Sequence, residues 1–200
     1  MFPEITRDDI FRLETQRLWL RWPRAADAVA VTRFCNDPEV ALKTTTIPYP
    51  YSQSDAERFL LRARSENAEG SALHLALALK RQPNEPIGMI SLMGAETRGE
   101  GKLGFVLARD AWGRGFMTEA ARAFVDLVFN LTSLDHVVSS ALPDNAASLR
   151  VQEKLGFVVT GEKTTHAPAR GGPLRMTATL LKRGAARAPY GALPARRAAS

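Results

Sequence analysis

Apolar and polar residues alternate over Arg17-Leu18-Trp19-Leu20-Arg21-Trp22, which predicts a strand ended by Pro23. Ala28, Val31, Thr32 and Cys35 then recur at helical spacing, so Ala25 to Cys35 is predicted as a helix stopped at Asn36-Asp37-Pro38. The prolines of KTTTIPYPYS exclude a regular helix there. Ser54 with Glu57 three positions on has the form of a capping box opening a helix to about Asn67. LHLALALK (residues 73–80) and IGMISLM (87–93) read as strands joined by a PNEP turn, and a turn over Glu96 to Gly101 leads to a third strand, Leu103 to Ala108.

Beyond the turn at 109–115 the period changes. Ala120, Phe124, Leu127, Val128 and Leu131 fall on one face of a helix predicted from Phe116 to Leu131. His136 to Leu142 is a strand ended by Pro143, and Asp144-Asn145 opens a short helix that stops at Gly156. Phe157 to Thr160 and Leu174 to Leu181 are the last strands, joined by a flexible HAPARGGP loop. Adjacent strands mixed with helices predict a single α/β (α+β) domain over residues 1–183, with a central mixed, mostly antiparallel sheet flanked by helices.

Composition narrows this picture. With 45% hydrophobic and 24% charged residues in 200, the chain is neither disordered nor fibrous. A lone Cys35 forms no internal disulfide, no apolar run reaches the ~18–20 residues of a bilayer crossing, and MFPEITRDDIFRLE does not read as a signal peptide. The expectation is a cytoplasmic protein without membrane contact, its oligomeric state left open between monomer and dimer. The net charge of +6 suggests a nucleic-acid binder until the charges are placed. Residues 163–200 carry eight basic and no acidic residues, so the body before them is slightly acidic. Residues 184–200 are expected to form a disordered basic tail, and nucleic acid is an unfavoured partner.

The chemistry concentrates in Arg109-Asp110-Ala111-Trp112-Gly113-Arg114-Gly115 and the helix that follows. Glycines at such an entry leave backbone N–H groups unobstructed, and with the helix dipole they favour a phosphate or pyrophosphate. The Gly-Lys-Ser/Thr ending of a nucleotide P-loop is missing, and Thr118 breaks the dinucleotide fingerprint. No metal-ligand pattern is present.

TQRLWLR, NDPEV, IPYPYSQSDAERF, IGMISL, LGFVLARDAWGRGFMTEAARAFVDLVF and LPDNAASLRVQEKLGF follow in order over about residues 14–182. Together they resemble the GCN5-related N-acetyltransferase (GNAT) superfamily, in its RimJ/RimL-like ribosomal-protein N-terminal acetyltransferase branch. The resemblance implies acetyl-CoA as co-substrate and a splayed strand at Phe105, Val106 and Leu107 that pairs with the pantetheine arm, with the Phe105 or Val106 N–H stabilising an oxyanion. It implies a pyrophosphate turn at Trp112, Gly113, Arg114, Gly115, Phe116, Met117 and Thr118, where the first position, commonly Gln or Arg, is Asp110. It also places Asn145 on the pantetheine and Ser148 beside the cofactor sulfur as a proton donor. Asn145 equally reads as a helix cap, Ser148 as a plain helix serine, Lys154 as a solvated helix-end lysine, and Glu119 as a carboxylate complementing a helix dipole.

Relatives often carry two glutamates, the natural general bases, where this chain has Lys102 and Val138. A lysine amine is only about 0.04% neutral at pH 7, an α-amine about 10–17%. The expected acceptor is therefore an α-amine of a protein or peptide N-terminus, unless His74 (in a strand) or His166 (in a loop) supplies the base. A small-molecule amine (antibiotic or polyamine) acetyltransferase and a non-catalytic acyl-CoA-binding module are the alternatives.

Overall fold

The computed structural model describes residues 1–94 and 99–185. Eight strands form one sheet: β1 (Arg12–Glu14), β2 (Leu18–Arg21), β3 (Leu73–Leu79), β4 (Gln82–Gly94), β5 (Glu100–Leu107), β6 (His136–Ala141), β7 (Val158–Ala167) and β8 (Gly172–Lys182). Their spatial order is β1-β2-β3-β4-β5-β6-β8-β7. Every pair is antiparallel except β5–β6, in keeping with the mixed, mostly antiparallel sheet expected.

Alternation sorts the two faces. Leu73, Leu75 and Leu77 of β3 with Ile90 and Leu92 of β4 pack against α4 (Phe116–Leu131) through Ala120, Phe124 and Val128, and Leu155 of α5 (Ala146–Leu155) joins that core. The opposite face presents Ala76 and Met89 to Val31 and Phe34 of α1 (Ala28–Cys35) and to Ala56 and Leu60 of α3 (Gln53–Glu69). The apolar stripe Ala56, Leu60, Ala63 on α3 follows the helical repeat and lies buried.

Local chemistry moved several expected boundaries. The capping box of α3 is Ser52 with Asp55, the Asp55 N–H donating to Ser52 Oγ and the Ser52 N–H to Asp55 Oδ2. Ser54 and Glu57, expected in that role, lie inside the helix. The β3–β4 hairpin turns at Lys80-Arg81, where Leu79 pairs with Gln82, so PNEP lies within β4. Its prolines are tolerated because β5 reaches only as far as Gly88, and register shifts near Ala78 absorb the rest. HAPARGGP is not a loop: His166 pairs with Pro173 and Ala167 with Gly172, leaving a short 3-10 turn at Pro168–Arg170. β1 and the short helix α2 (Pro38–Ala41), capped by Asp37, had no expected counterpart. Half of the expected turn at 96–101 falls outside the described residues, and its last two residues, Glu100 and Gly101, belong to β5; the expected tail at 184–200 lies almost wholly outside them.

A buried ion pair ties β2 to the entry of α1. Arg21 donates to both Asp27 oxygens at 2.8 Å, and the Arg24 N–H donates to the same carboxylate. Asp27 is 1% exposed and Arg21 6%. Asp27→Ala leaves that guanidinium without its counter-charge and is expected to cost about 3–5 kcal/mol, read as a lower midpoint in urea unfolding.

Candidate functional site

β5 and β6 pair only over Glu100–Lys102 with His136–Val138 and then diverge. At the point of separation Ser139 Oγ donates to Leu103 O at 3.0 Å. The Ala108 N–H donates to Ile87 O, which sets the alternation along β5: Gly104 and Val106 direct their backbone groups to β4, Phe105 and Leu107 direct theirs into the splay. The expected splayed strand is thus present, with the Phe105 amide facing the gap and the Val106 amide turned to the neighbouring strand.

The gap continues into a cleft of about 740 Å³. It takes in residues 105–107, 112, 113, 115–118, 145 and 148 among the sequence-predicted site. Arg114 stands on the rim, in an adjoining shallow groove with Arg17 and Phe116.

At one end of the cleft lies the mouth of α4. Gly113 and Gly115 have φ of +73° and +76°, a conformation that a side chain strains, and a Cβ on Gly113 would meet nothing within 4 Å. The first α4 bond is Glu119 N–H to Gly115 O, so the N–H groups of Phe116, Met117 and Thr118 have no intrahelical acceptor. Trp112 is fixed by its indole N–H on Leu107 O at 2.8 Å, with Lys43 Nζ 4.9 Å above its ring. A diphosphate suits this donor set, open space and positive helix end. Among the described residues no cluster of three or more His, Cys, Asp or Glu is placed to hold a metal ion.

Glu119 does not reach into the cleft chemistry. Its carboxylate accepts from Thr15 Oγ1 (2.7 Å), the Arg17 N–H (2.8 Å) and Arg17 Nε (2.6 Å), fastening the start of β2 to α4. Burial opposes its charge, yet these hydrogen bonds outweigh burial and hold the carboxyl below its usual range.

At the other side of the splay, Asn145 caps α5: its Oδ1 accepts the Ser148 N–H, and its Nδ2 donates to Lys43 O at 3.2 Å. The capping reading therefore holds, and the same side chain lines the cleft. Ser148 is more than a plain helix serine. Buried Thr179 donates to Gln152 Oε1 at 2.5 Å, and Gln152 Nε2 donates to Ser148 Oγ at 3.1 Å. That chain occupies an acceptor position on Ser148 Oγ and leaves its O–H to donate into the cleft. Gln152 and Thr179 were missed in the sequence because a helix residue and a strand residue 27 positions apart meet only in the fold. Lys154 lines the cleft rim.

The positions of the two missing glutamates lie opposite each other, Lys102 pairing with Val138 at the root of the splay. The other carboxylates of the cleft are engaged, Asp55 by Ser52 and Arg58, Glu66 by His74. His74 is no isolated core residue. It is 2% exposed and joined through its ring to Ser91 Oγ and to Glu66. His166 sits in β7, in a strand and not in a loop. Cys35 also lines the cleft, and burial pushes its thiol up to about 12, which keeps it protonated and unreactive. Arg170, at the β7–β8 turn, donates to Leu42 O and faces Asp144 at 3.5 Å, tying that turn to the segments that carry Lys43 and Asn145.

A family model described as an acetyltransferase (GNAT) domain matches residues 17–158. An uncharacterized N-acetyltransferase p20 of Bacillus licheniformis is 28% identical over 160 residues, covering 80% of this chain and 89% of its own length. Among solved structures, the ribosomal-protein-S5-alanine acetyltransferase of Vibrio fischeri aligns with TM-score 0.74 at 20% identity, over 89% of this chain and 100% of that one. A RimL ribosomal L7/L12 α-N-protein acetyltransferase in complex with coenzyme A aligns with TM-score 0.76 at 17% identity, over 88% and 99%. At such identities these structures bear on the fold.

Glu119→Gln removes the charge that Thr15 and Arg17 stabilise and is expected to lower stability at pH 7 by about 1–3 kcal/mol. Because the folded pKa lies below the ordinary value of 4.5, the wild-type advantage is complete above that pH. It disappears as pH falls through the folded pKa, and thermal melts of both proteins from pH 7 to pH 3 read the convergence.

Proposed function

The chain belongs to the GNAT acetyltransferase family, and we propose that its acceptor is an α-amine at the N-terminus of a protein or peptide. The acetyl donor is acetyl-CoA, as in the family, and the donor set at the mouth of α4 fits its diphosphate. The Phe105 N–H, facing the splay, is the donor placed for the thioester oxygen as negative charge develops on it. Ser148, its hydroxyl oriented by Gln152 and Thr179, supplies the proton to the departing thiolate. A single unpaired cysteine fits a reducing compartment, and among the described residues no helix is long and apolar enough to cross a membrane. On this reading the enzyme works in the cytoplasm.

One observation carries the choice of acceptor: among the described residues no uncommitted carboxylate lines the cleft. A lysine ammonium with pKa near 10.4 requires about 4.6 kcal/mol to be deprotonated at pH 7, an α-ammonium only about 1–1.4. Arg58 and Arg62 at the cleft also disfavour a polycation such as a polyamine.

The test is acetyl-CoA against three probes: a hexapeptide with N-terminal alanine, an N-terminally blocked lysine peptide, and spermidine. The α-amine is expected to gain about 42 Da, the mass of an acetyl replacing a proton. Its kcat/KM should exceed those of the other two by roughly 10²-fold at pH 7, as the neutral fractions dictate. A preference for spermidine or the lysine peptide overturns the acceptor assignment. Heat of coenzyme A binding with no thiol release on any amine makes the chain a binding module instead.

Ser148→Ala is expected to lower kcat by about 10²-fold, the small end of general-acid effects, with the KM for acetyl-CoA unchanged. Steady-state thiol release reads both parameters.

A further inference from the structure

Register places His74 of β3 opposite Ser91 of β4, and Ser91 opposite Gly104 of β5. All three belong to the face covered by α1 and α3, so they form a row straight across the sheet, one strand spacing of about 4.8 Å per step. The row ends at the residue beside Phe105, whose amide faces the splay. At Gly104 the row is open: a Cβ built there would meet nothing nearer than Met93 Cε at 3.8 Å. No side chain of residue 104 therefore stands between Ser91 and the splay, and Glu66, His74, Ser91 and Gly104 all line the one cleft.

The row is held with unusual care at its buried end. Asn67 pins the His74 backbone from both sides, accepting its N–H at 2.7 Å and donating to its carbonyl at 2.9 Å. This occurs where β3 has run past the end of β2. One residue earlier on α3, Glu66 Oε2 lies 2.6 Å from His74 Nε2, and on the other side of the ring Ser91 Oγ lies 2.7 Å from Nδ1. Phe59 packs its edge against the ring. A carboxylate only accepts, so Nε2 carries the hydrogen and Nδ1 is left to accept from the Ser91 hydroxyl.

We infer that Ser91, His74 and Glu66 form the proton relay that does the work of the glutamates missing at positions 102 and 138. The inference rests on the acetyl-transfer reading above. The bound ammonium first gives a proton to Ser91 Oγ as the Ser91 proton passes to His74 Nδ1, and the neutral amine nitrogen then bonds to the thioester carbon. The C–S bond then breaks as Ser148 protonates the thiolate and takes up, through solvent, the proton that the nitrogen sheds, and the imidazolium, paired with Glu66, returns its proton to water through Ser91. Ser91 is the catalytic residue, while Glu66 is a positioning residue that fixes the tautomer of His74.

The charged groups facing the ring are Glu66 and Arg62, both from α3; β4 contributes only the Ser91 hydroxyl, and Lys102 stands two strands away on the same face. Burial lowers the His74 pKa beneath 6.5, with Arg62 adding to it and Glu66 opposing. The ring is thus neutral and able to accept at pH 7, and the relay fails as pH drops through the folded value. A base this weak suits an α-ammonium and not a lysine.

The experiment compares wild type with Ser91→Ala, His74→Gln and Glu66→Gln, using acetyl-CoA with the alanine hexapeptide and with hydroxylamine, which is already neutral at pH 7. Calorimetry with coenzyme A, unchanged in Ser91→Ala, certifies the fold. For the peptide, Ser91→Ala and His74→Gln are expected to lose about tenfold or more in kcat/KM at pH 7, with rates that track the amine's own ionisation and recover above its pKa of about 7.7–8.0. With hydroxylamine the deficit should disappear. A loss equal at every pH and for both amines, or no loss in Ser91→Ala, overturns the relay alone. A wild type that acetylates neither amine overturns the acetyl-transfer reading and the relay together.

Discussion

Two parallel strands that stop pairing after three residues are the constraint on which the molecule's chemistry depends. A buried sheet ordinarily satisfies every backbone group on both edges of each strand. β5 is paired with β4 from Gly101 to Leu107, but beyond Lys102 its other edge faces a gap. Ser139 closes the root of that gap by taking up the Leu103 carbonyl, and the Trp112 indole takes up Leu107 O at its far end. Between those two side chains the Phe105 backbone is left to whatever enters. The fold has in effect reserved a strand's worth of hydrogen bonds for a ligand.

Around this edge the side chains divide by face. The face toward α4 and α5 is leucine-rich and dry, and it sets the strands' spacing. The other face carries small residues and a few polar ones, and it is there that the cleft opens. Two directional hydrogen-bond chains converge from opposite sides: Thr179–Gln152–Ser148 from α5 and β8, and Glu66–His74–Ser91 from α3, β3 and β4. Each begins at a buried or half-buried group and ends at a serine hydroxyl on the cleft. Glu119, the carboxylate that looks most available in the chain, is consumed in holding β2 to α4.

The parts legible in the sequence were those whose cause is local. The Gly113–Gly115 turn, the apolar stripe of α4, the Asn145 cap and the glycine stop at Gly156 are each decided within a few residues, and the structure repeats them. The capping box slid by two positions because two serines, Ser52 and Ser54, compete for one helix start, and only the chain's path from Tyr51 decides between them. Pro83 and Pro86 read as a turn because nothing nearby reveals that β5 pairs with β4 only as far as Gly88, leaving the start of β4 with β3 as its partner and nothing on its β5 side. The Gly-Gly-Pro of the last hairpin misled in the same way. Residues 66, 74 and 91 meet only through sheet register and the end of a helix, so no spacing rule connects them. Lys102 and Val138, by contrast, could be marked as departures yet not seen as facing partners.

The outermost strand has a consequence of another kind. Among the described residues β7 lies at the border of the sheet with no strand beyond it, and Val158 and Val159 are exposed at 59% and 68%. Such a border invites another chain to dock edge-on and to grow aggregates. Directly after those valines the ladder with β8 skips a residue around Gly161, at a φ of +146°, and Glu162 and Lys163 follow. A kink and two opposite charges thus interrupt the apolar stretch after only two residues, the kind of interruption that blunts edge-to-edge growth.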